Sequence, residues 1–197
     1  MSEETLVAQA RSGRVDAFNQ LVLFYQQTAY NLAFRILGDV DRSTDATQES
    51  FIRCYRSLDQ FRGGIFRAWL LRIVTNCCYD QLRLQQRRPT TPIDDLVEDE
   101  EHSDLLRDNS ESPEESVERG ELNAFLKASL GILPPEQRAI VVLSDIEGLS
   151  YEEIAAVSSL ALGTVKSRLN RARGKLRDYL LAHKEQLPGR FRLINNG

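Results

Sequence analysis

Between positions 89 and 121 the chain carries 13 acidic and 2 basic residues among Ser, Pro and a few scattered aliphatic side chains. Such a composition cannot bury enough apolar surface to offset its ordering entropy, so no core runs through it. It divides the 197 residues into two apolar-rich ends, each the size of a small domain. The expected organisation is one unit at 1–88, a flexible acidic linker at 89–121, a second unit at 122–182 and a basic tail at 183–197.

Charge follows the same division. The formal net charge of −4 hides +3 over residues 1–88, −11 over 89–121 and +4 over 122–197. Residues 161–197 alone hold 9 basic and 2 acidic side chains. A local basic stripe of this kind attracts a phosphate backbone whatever the sign of the whole chain.

Both ends read as helices. Phe18, Leu21, Val22, Tyr25, Ala29, Leu32, Ala33, Ile36 and Leu37 recur at steps of three and four, which predicts one long amphipathic helix stopped by Gly38-Asp39. Capping side chains from Asp41 to Asp45 open a second helix with Phe51, Tyr55 and Leu58 on its apolar face, ended by Arg62-Gly63-Gly64. A third starts near Phe66 and buries Phe66, Trp69, Leu70, Ile73, Val74 and Cys77. Beyond the acidic stretch, Leu122, Phe125, Leu126 and Leu130 start another helix, which Pro134-Pro135 interrupts and Ala139 to Leu143 resumes. Strand alternation is absent, so the fold class is all-α.

Cys54, Cys77 and Cys78 have no CxxC spacing, and the two histidines are far apart, so neither a metal site nor a cofactor is expected. Free, reduced thiols and a start without a basic, apolar leader point to a cytoplasmic chain. No apolar run approaches the roughly 20 residues that span a bilayer, so no membrane insertion is expected.

The clearest local pattern lies near the C-terminus. Ser150-Tyr151-Glu152-Glu153 fits a capping box opening a short helix to Val157. A turn at 160–163 follows, then a longer basic helix to about Leu181, with Thr164 as its candidate cap. A short capped helix, a turn and a basic helix form a helix-turn-helix, whose second helix enters the major groove. At about 100° per residue, Val165, Leu169, Ala172 and Leu176 face the core, while Ser167, Asn170, Arg171 and Gly174 face away, with Lys166 and Lys175 at the margins. Arg and Asn on that outer face suit base edges; Arg168 and Arg173, flanking the apolar face, suit phosphates. A solvated basic face is the plain alternative, and the capped helix in front of it favours DNA.

In the N-terminal unit, Asp45, Gln48 and Glu49 cluster at i, i+3 and i+4, with Ile52 a turn further on, fit either for solvent or for a basic partner surface. Arg72, Asn76, Tyr79, Asp80, Arg83 and Arg87 form a polar stripe on the third helix.

Asp45-Ala46-Thr47-Gln48-Glu49-Ser50-Phe51, then Phe61-Arg62-Gly63 and Trp69-Leu70, resembles the second conserved region of bacterial sigma factors. Leu133-Pro134-Pro135-Glu136-Gln137-Arg138, the run from Gly148 to Ala155, and Gly163-Thr164-Val165-Lys166-Ser167-Arg168 resemble the fourth region of the extracytoplasmic-function (ECF) group. The resemblance covers roughly residues 5–88 and 122–182. It implies a subunit without enzymatic activity that directs core RNA polymerase to promoter DNA, commonly restrained by an anti-sigma factor. It implies that Asp45, Gln48, Glu49 and Ile52 dock on the polymerase. Phe61, Arg62, Phe66, Trp69, Arg72, Asn76, Tyr79 and Arg83 then handle the minus-ten element and its melted strand. Thr164, Lys166, Ser167, Arg168, Asn170, Arg171 and Arg173 read the minus-thirty-five element. The acidic linker corresponds to a connector threading near the polymerase active centre, where its charge mimics a nucleic-acid strand or simply tethers.

Only Gly64-Ile65 separates Gly63 from Phe66, where the family usually has a few small polar residues forming the base pocket; this leaves the minus-ten preference open. An operator-binding helix-turn-helix regulator would explain the C-terminal unit equally well, but neither the Asp45-Gln48-Glu49 patch nor the aromatic and basic third helix. A nuclease reading lacks the distant carboxylates of a two-metal site.

Overall fold

The computed structural model describes residues 2–87 and 113–187, and every regular element among them is helical. Four helices form the N-terminal set: α1 Glu3–Arg11, α2 Val15–Leu37, α3 Val40–Arg56 and α4 Phe66–Arg87. Four more form the C-terminal set: α5 Pro113–Gly131, α6 Pro135–Val141, α7 Tyr151–Ser158 and α8 Leu162–Ala182. Residues 88–112, which include most of the linker expected at 89–121, and residues 188–197 of the tail expected at 183–197 lie outside the described residues.

Helix α2 is the spine of the first set and buries the predicted apolar stripe from Phe18 through Leu37, with Val22 partly covered. It packs against α1, α3 and α4. Helix α1 carries too little apolar pattern to be read from periodicity. Ser2 nonetheless accepts the Thr5 amide at its start, Glu3 and Glu4 sit in its first turn and Arg11 in its last, all in the favourable sense for the helix dipole.

Helix α3 departs from expectation at both ends and on its buried face. Asp39 is the N-cap and accepts the Arg42 amide at 2.8 Å, so Asp41 and Asp45 lie inside the helix. The buried stripe is Ser43, Ala46, Ser50 and Cys54, with Phe51 only partly covered and Tyr55 exposed against Phe18. Small residues let α3 approach α2 and α4 closely, and the buried hydroxyls are satisfied locally: Ser43 donates to the Asp39 carbonyl and Ser50 to the Thr47 carbonyl. The helix ends at Arg56, and a 3₁₀ turn, Leu58–Gln60, precedes the double glycine. Gly63 and Gly64 both hold positive φ, +95° and +92°, which is what allows so short a connection to turn into α4.

In the C-terminal set, helix α5 begins at Pro113, so residues 113–121, expected in the linker, belong to a helix. A proline at the first helical position loses no intrahelical hydrogen bond. Helix α6 likewise starts on Pro135 rather than at Ala139. It runs into a π-helical turn, Val142–Ile146, closed by the Glu147 amide on the Val142 carbonyl at 2.9 Å. The Ser150–Glu153 capping box is formed in both directions, at 3.2 Å and 2.7 Å. Ser159, in the left-handed conformation, turns the chain into α8, whose N-cap is Ala161; Thr164 lies inside the helix and is not its cap.

The two sets also pack on one another. Helix α4 lies against α7 and α2 against α6, and the buried apolar residues form a core continuous from Val7 to Ala172.

Candidate nucleic-acid interface

Helix α8 sorts its side chains as its periodicity requires. Val165, Leu169 and Ala172 are buried and Leu176 partly so, holding the helix on α6 and α7. Lys166, Ser167, Asn170, Arg171 and Lys175 are exposed on the other side, and Thr164 is half-buried. Among the described residues, Lys166, Asn170, Arg171 and Lys175 have no hydrogen-bond or ion-pair partner, whereas Ser167 donates back to the Thr164 carbonyl. An outward helix face with cations and an amide left unneutralised is what a phosphate backbone and base edges require.

The two arginines expected at phosphates are engaged within the chain. Arg168 pairs with Glu136. Arg173 donates through Nε to Asp145 at 3.1 Å and through Nη2 to Ser144 at 3.2 Å, which ties the middle of α8 to the π turn. That guanidinium holds the Asp145 carboxyl below the usual carboxylate range.

The N-terminal candidates divide into exposed and buried groups. Arg62, Arg72, Asn76 and Arg83 are exposed. Phe61 and Phe66 are core residues, 7% and 2% exposed, joined with Trp69 and Tyr25 in one aromatic cluster with ring centroids 5.2 to 5.7 Å apart. Phe61 and Phe66, expected among the residues that handle the minus-ten element, are thus core side chains in this structure. They fix the base of the 63–65 loop, and Ile65, 62% exposed at its tip, is the apolar side chain that sequence reasoning passed over. Trp69 is half-buried at the edge of the same cluster.

On α3, Asp45, Gln48 and Ile52 face solvent. Glu49 beside them accepts Arg53 Nε at 2.7 Å, and Arg53 reaches across to Asp80 of α4 at 2.7 Å. Asp80 in turn meets Arg83 at 3.4 Å. These pairs are each about 40% exposed or more and contribute little stability, but they orient the acidic face of α3 relative to the basic stripe of α4.

Residues from both sets meet between α4, α6, α7 and α8. Tyr79 is half-buried there; burial, and then the Glu136 carboxylate, push its hydroxyl up to about 12. Glu147, one residue past the π turn, has a side chain 7% exposed, clasped by Arg67 and Arg35 of the N-terminal set. Arg138 of α6 donates to the Ile36 carbonyl at the end of α2, at 2.8 Å, and to the Gly131 and Leu133 carbonyls, both at 3.2 Å. None of these cross-contacts carries a signal in the sequence, because the partners lie as many as 112 positions apart.

The three thiols are buried, and burial pushes Cys54 up to about 12 and Cys77 up to about 11. Among the described residues no three His, Cys, Asp or Glu side chains gather as a metal site, and no helix is long and apolar enough to cross a membrane.

Comparison with known proteins bears on both sets. Residues 21–88 match the Sigma-70 region 2 family and residues 126–176 the Sigma-70, region 4 family. The ECF RNA polymerase sigma factor SigE of Mycolicibacterium smegmatis is 43% identical over 86% of this chain, which spans 64% of that longer protein. The ECF RNA polymerase sigma-E factor of Salmonella typhimurium is 39% identical over 88% of this chain and 91% of its own length. Among solved structures, CnrH in complex with the cytosolic domain of CnrY superposes with a TM-score of 0.63 at 32% identity, over 91% of this chain and 97% of that one. The sigma factor RpoE of Bartonella quintana, in complex with the anti-sigma factor NepR, gives 0.61 at 25% identity, over 84% and 98%.

Proposed function

The chain belongs to the ECF RNA polymerase sigma factors, and we propose that it binds core RNA polymerase and directs it to specific promoters, recognising and helping to melt their DNA. The observation that carries this reading is the α7–α8 pair: the capped α7 precedes α8, which is braced on the core and presents Lys166, Asn170, Arg171 and Lys175 outward and unpartnered.

In this reading residues 1–88 are the region-two unit, residues 89–121 the acidic connector, residues 122–182 the region-four unit with α5 leading into it, and residues 183–197 a basic tail. Ser167, Asn170 and Arg171 read bases of the minus-thirty-five duplex, with Thr164, Lys166, Arg168 and Arg173 on its backbone once the last two arginines leave their internal carboxylates. Asp45, Gln48, Glu49 and Ile52 form the polymerase dock. Arg62, Arg72, Asn76, Tyr79 and Arg83, with Trp69 beside the 63–65 loop, hold the melted minus-ten strand.

Melting here is capture and not hydrolysis. A flipped base costs a few kcal/mol, which stacking and phosphate contacts offset, so the protein is an initiation factor and no enzyme. It acts in the cytoplasm and is restrained by an anti-sigma factor, as both solved neighbours are seen bound to another chain, one of them a named anti-sigma factor.

The test is run-off transcription with sigma-free core polymerase on a pool of genomic promoter fragments, with an Asp45→Ala/Glu49→Ala variant alongside. Promoter-specific transcripts that weaken in the variant are the expected result. Tight binding to duplex DNA without core binding or transcripts would replace this reading with that of an operator-binding regulator.

A further inference from the structure

The carboxylate of Glu147 is an enclosed charged group at the junction of the two helical sets. Its side chain is 7% exposed, yet every strong partner it has belongs to the other set. Arg67, in the first turns of α4, forks across it: Nη2 donates to Oε2 at 2.6 Å and Nη1 to the Glu147 backbone carbonyl at 2.8 Å. Arg35, near the end of α2, stands 3.4 Å from Oε1. The π turn before it directs Glu147 outward to α2 and α4, while Asp145 two residues earlier turns to Arg173 on α8. Around this clasp, Arg138 caps the end of α2 through the Ile36 carbonyl, and the Lys127 ammonium lies 5.2 Å from the centre of the Phe34 ring.

The packed arrangement excludes promoter engagement. Elements centred near −10 and −35 lie about 25 base pairs apart, roughly 85 Å at 3.4 Å per base pair. Helices α4 and α7, which belong to the readers of those two elements, are here in direct contact. Arg168 and Arg173 are at the same time occupied by internal carboxylates.

We propose that Glu147 is an intramolecular latch: clasped by Arg67 and Arg35, it holds the free chain closed, with its two DNA readers too near each other for a promoter, until uptake by core polymerase parts them. The part of this inference that concerns promoters rests on the function proposed above; the latch itself does not. Fork pairing of an arginine with a carboxylate and a carbonyl is geometrically exacting, so the contact specifies one docking of the two sets and does not merely make them adhere. Removing one partner strands the others half-desolvated, which is why the latch opens sharply when any of its members is lost.

The experiment is intramolecular energy transfer in the full chain, with dyes on Asp59→Cys and Lys184→Cys, both exposed positions, while the buried native thiols stay unlabelled. Glu147→Gln is compared with the parent, with Arg35→Ala/Arg67→Ala from the opposite side, and with the charge exchange Glu147→Arg plus Arg35→Glu/Arg67→Glu. The expected result is an open-to-closed ratio raised about tenfold or more in the first two variants and largely restored by the exchange. Each variant's helical circular dichroism is recorded. If Glu147→Gln does not fold, the arginine pair, one-third exposed and so tolerant of truncation, decides the question. An unchanged distance distribution in folded variants overturns the latch. Because this readout uses neither DNA nor polymerase, a latch that opens as described in a chain that supports no promoter-specific transcription refutes the proposed function and leaves the latch standing.

Discussion

Two glycine-to-alanine substitutions should move stability in opposite directions. Gly174 sits in the middle of α8 and Gly64 in the turn into α4. A Cβ built on either meets no heavy atom within 4 Å, so sterics with neighbours cancel from the comparison and only the backbone differs. In a helix interior, alanine is favoured over glycine by about 0.8–1 kcal/mol, so Gly174→Ala stabilises by roughly that amount. Gly64 holds φ of +92°, and an L-residue forced into the left-handed region costs about 1–2 kcal/mol. The pair should therefore differ by about 2–3 kcal/mol, or roughly 4–12 °C in midpoint at 2–4 °C per kcal/mol for a chain of this length. Thermal unfolding followed at 222 nm reads both, and if the two helical sets melt separately, each shift should appear in its own transition. A Gly64→Ala variant as stable as the parent would mean that the loop before Phe66 is not locked in the positive-φ turn. Destabilisation by Gly174→Ala would mean that α8 is not a continuous helix at its midpoint.

Three further outcomes follow from the same geometry. Cys54, Cys77 and Cys78 should react with a disulfide reagent at pH 8 only after denaturant is added, since burial raises all three thiols; rapid native labelling would contradict the packing of α3 on α4. Asp145 has a depressed folded-state pKa, so its stabilising pair with Arg173 is fully present above the ordinary carboxylate value of about 3.9 and is lost as pH falls through the lower folded value. Asp145→Asn should accordingly lower the melting midpoint at pH 7, with the gap to the parent closing only in strong acid. Arg171→Ala should relax base preference at one minus-thirty-five position, by about 1–3 kcal/mol of discrimination, whereas Lys175→Ala should weaken binding evenly across sequences and flatten its salt dependence; promoter-fragment binding at several salt concentrations separates the two.

Helices α2, α4, α7 and α8 were legible in the sequence because their buried faces are made of large apolar residues at helical spacing, and the capping box marks the start of α7 outright. Helix α3 was legible only as a helix. Its buried stripe of Ser43, Ala46, Ser50 and Cys54 is small and weakly hydrophobic, so helical periodicity points instead to the larger Phe51 and Tyr55. Phe61 and Phe66 show the converse difficulty, since an aromatic near a nucleic-acid motif has the same composition signal whether it stacks on a base or fills a core. The outward face of α8 could be read because one helix fixes it. The clasp on Glu147 could not, because it depends on how two separately folded sets come together.

The π turn at Val142–Ile146 gives the C-terminal half a phase that an uninterrupted α-helix would lack. One surplus residue in a single turn offsets everything downstream by about 100° of rotation and 1.5 Å of rise. Deleting one uncharged residue of that turn would let the chain relax into ordinary α-helix while leaving its charge unchanged. Glu147 and the capping box would then emerge on a different azimuth, and the basic face of α8 would be aimed elsewhere relative to α4. The side chains of this turn hold the core and Arg173, while its length separately sets the frame in which everything after it is presented.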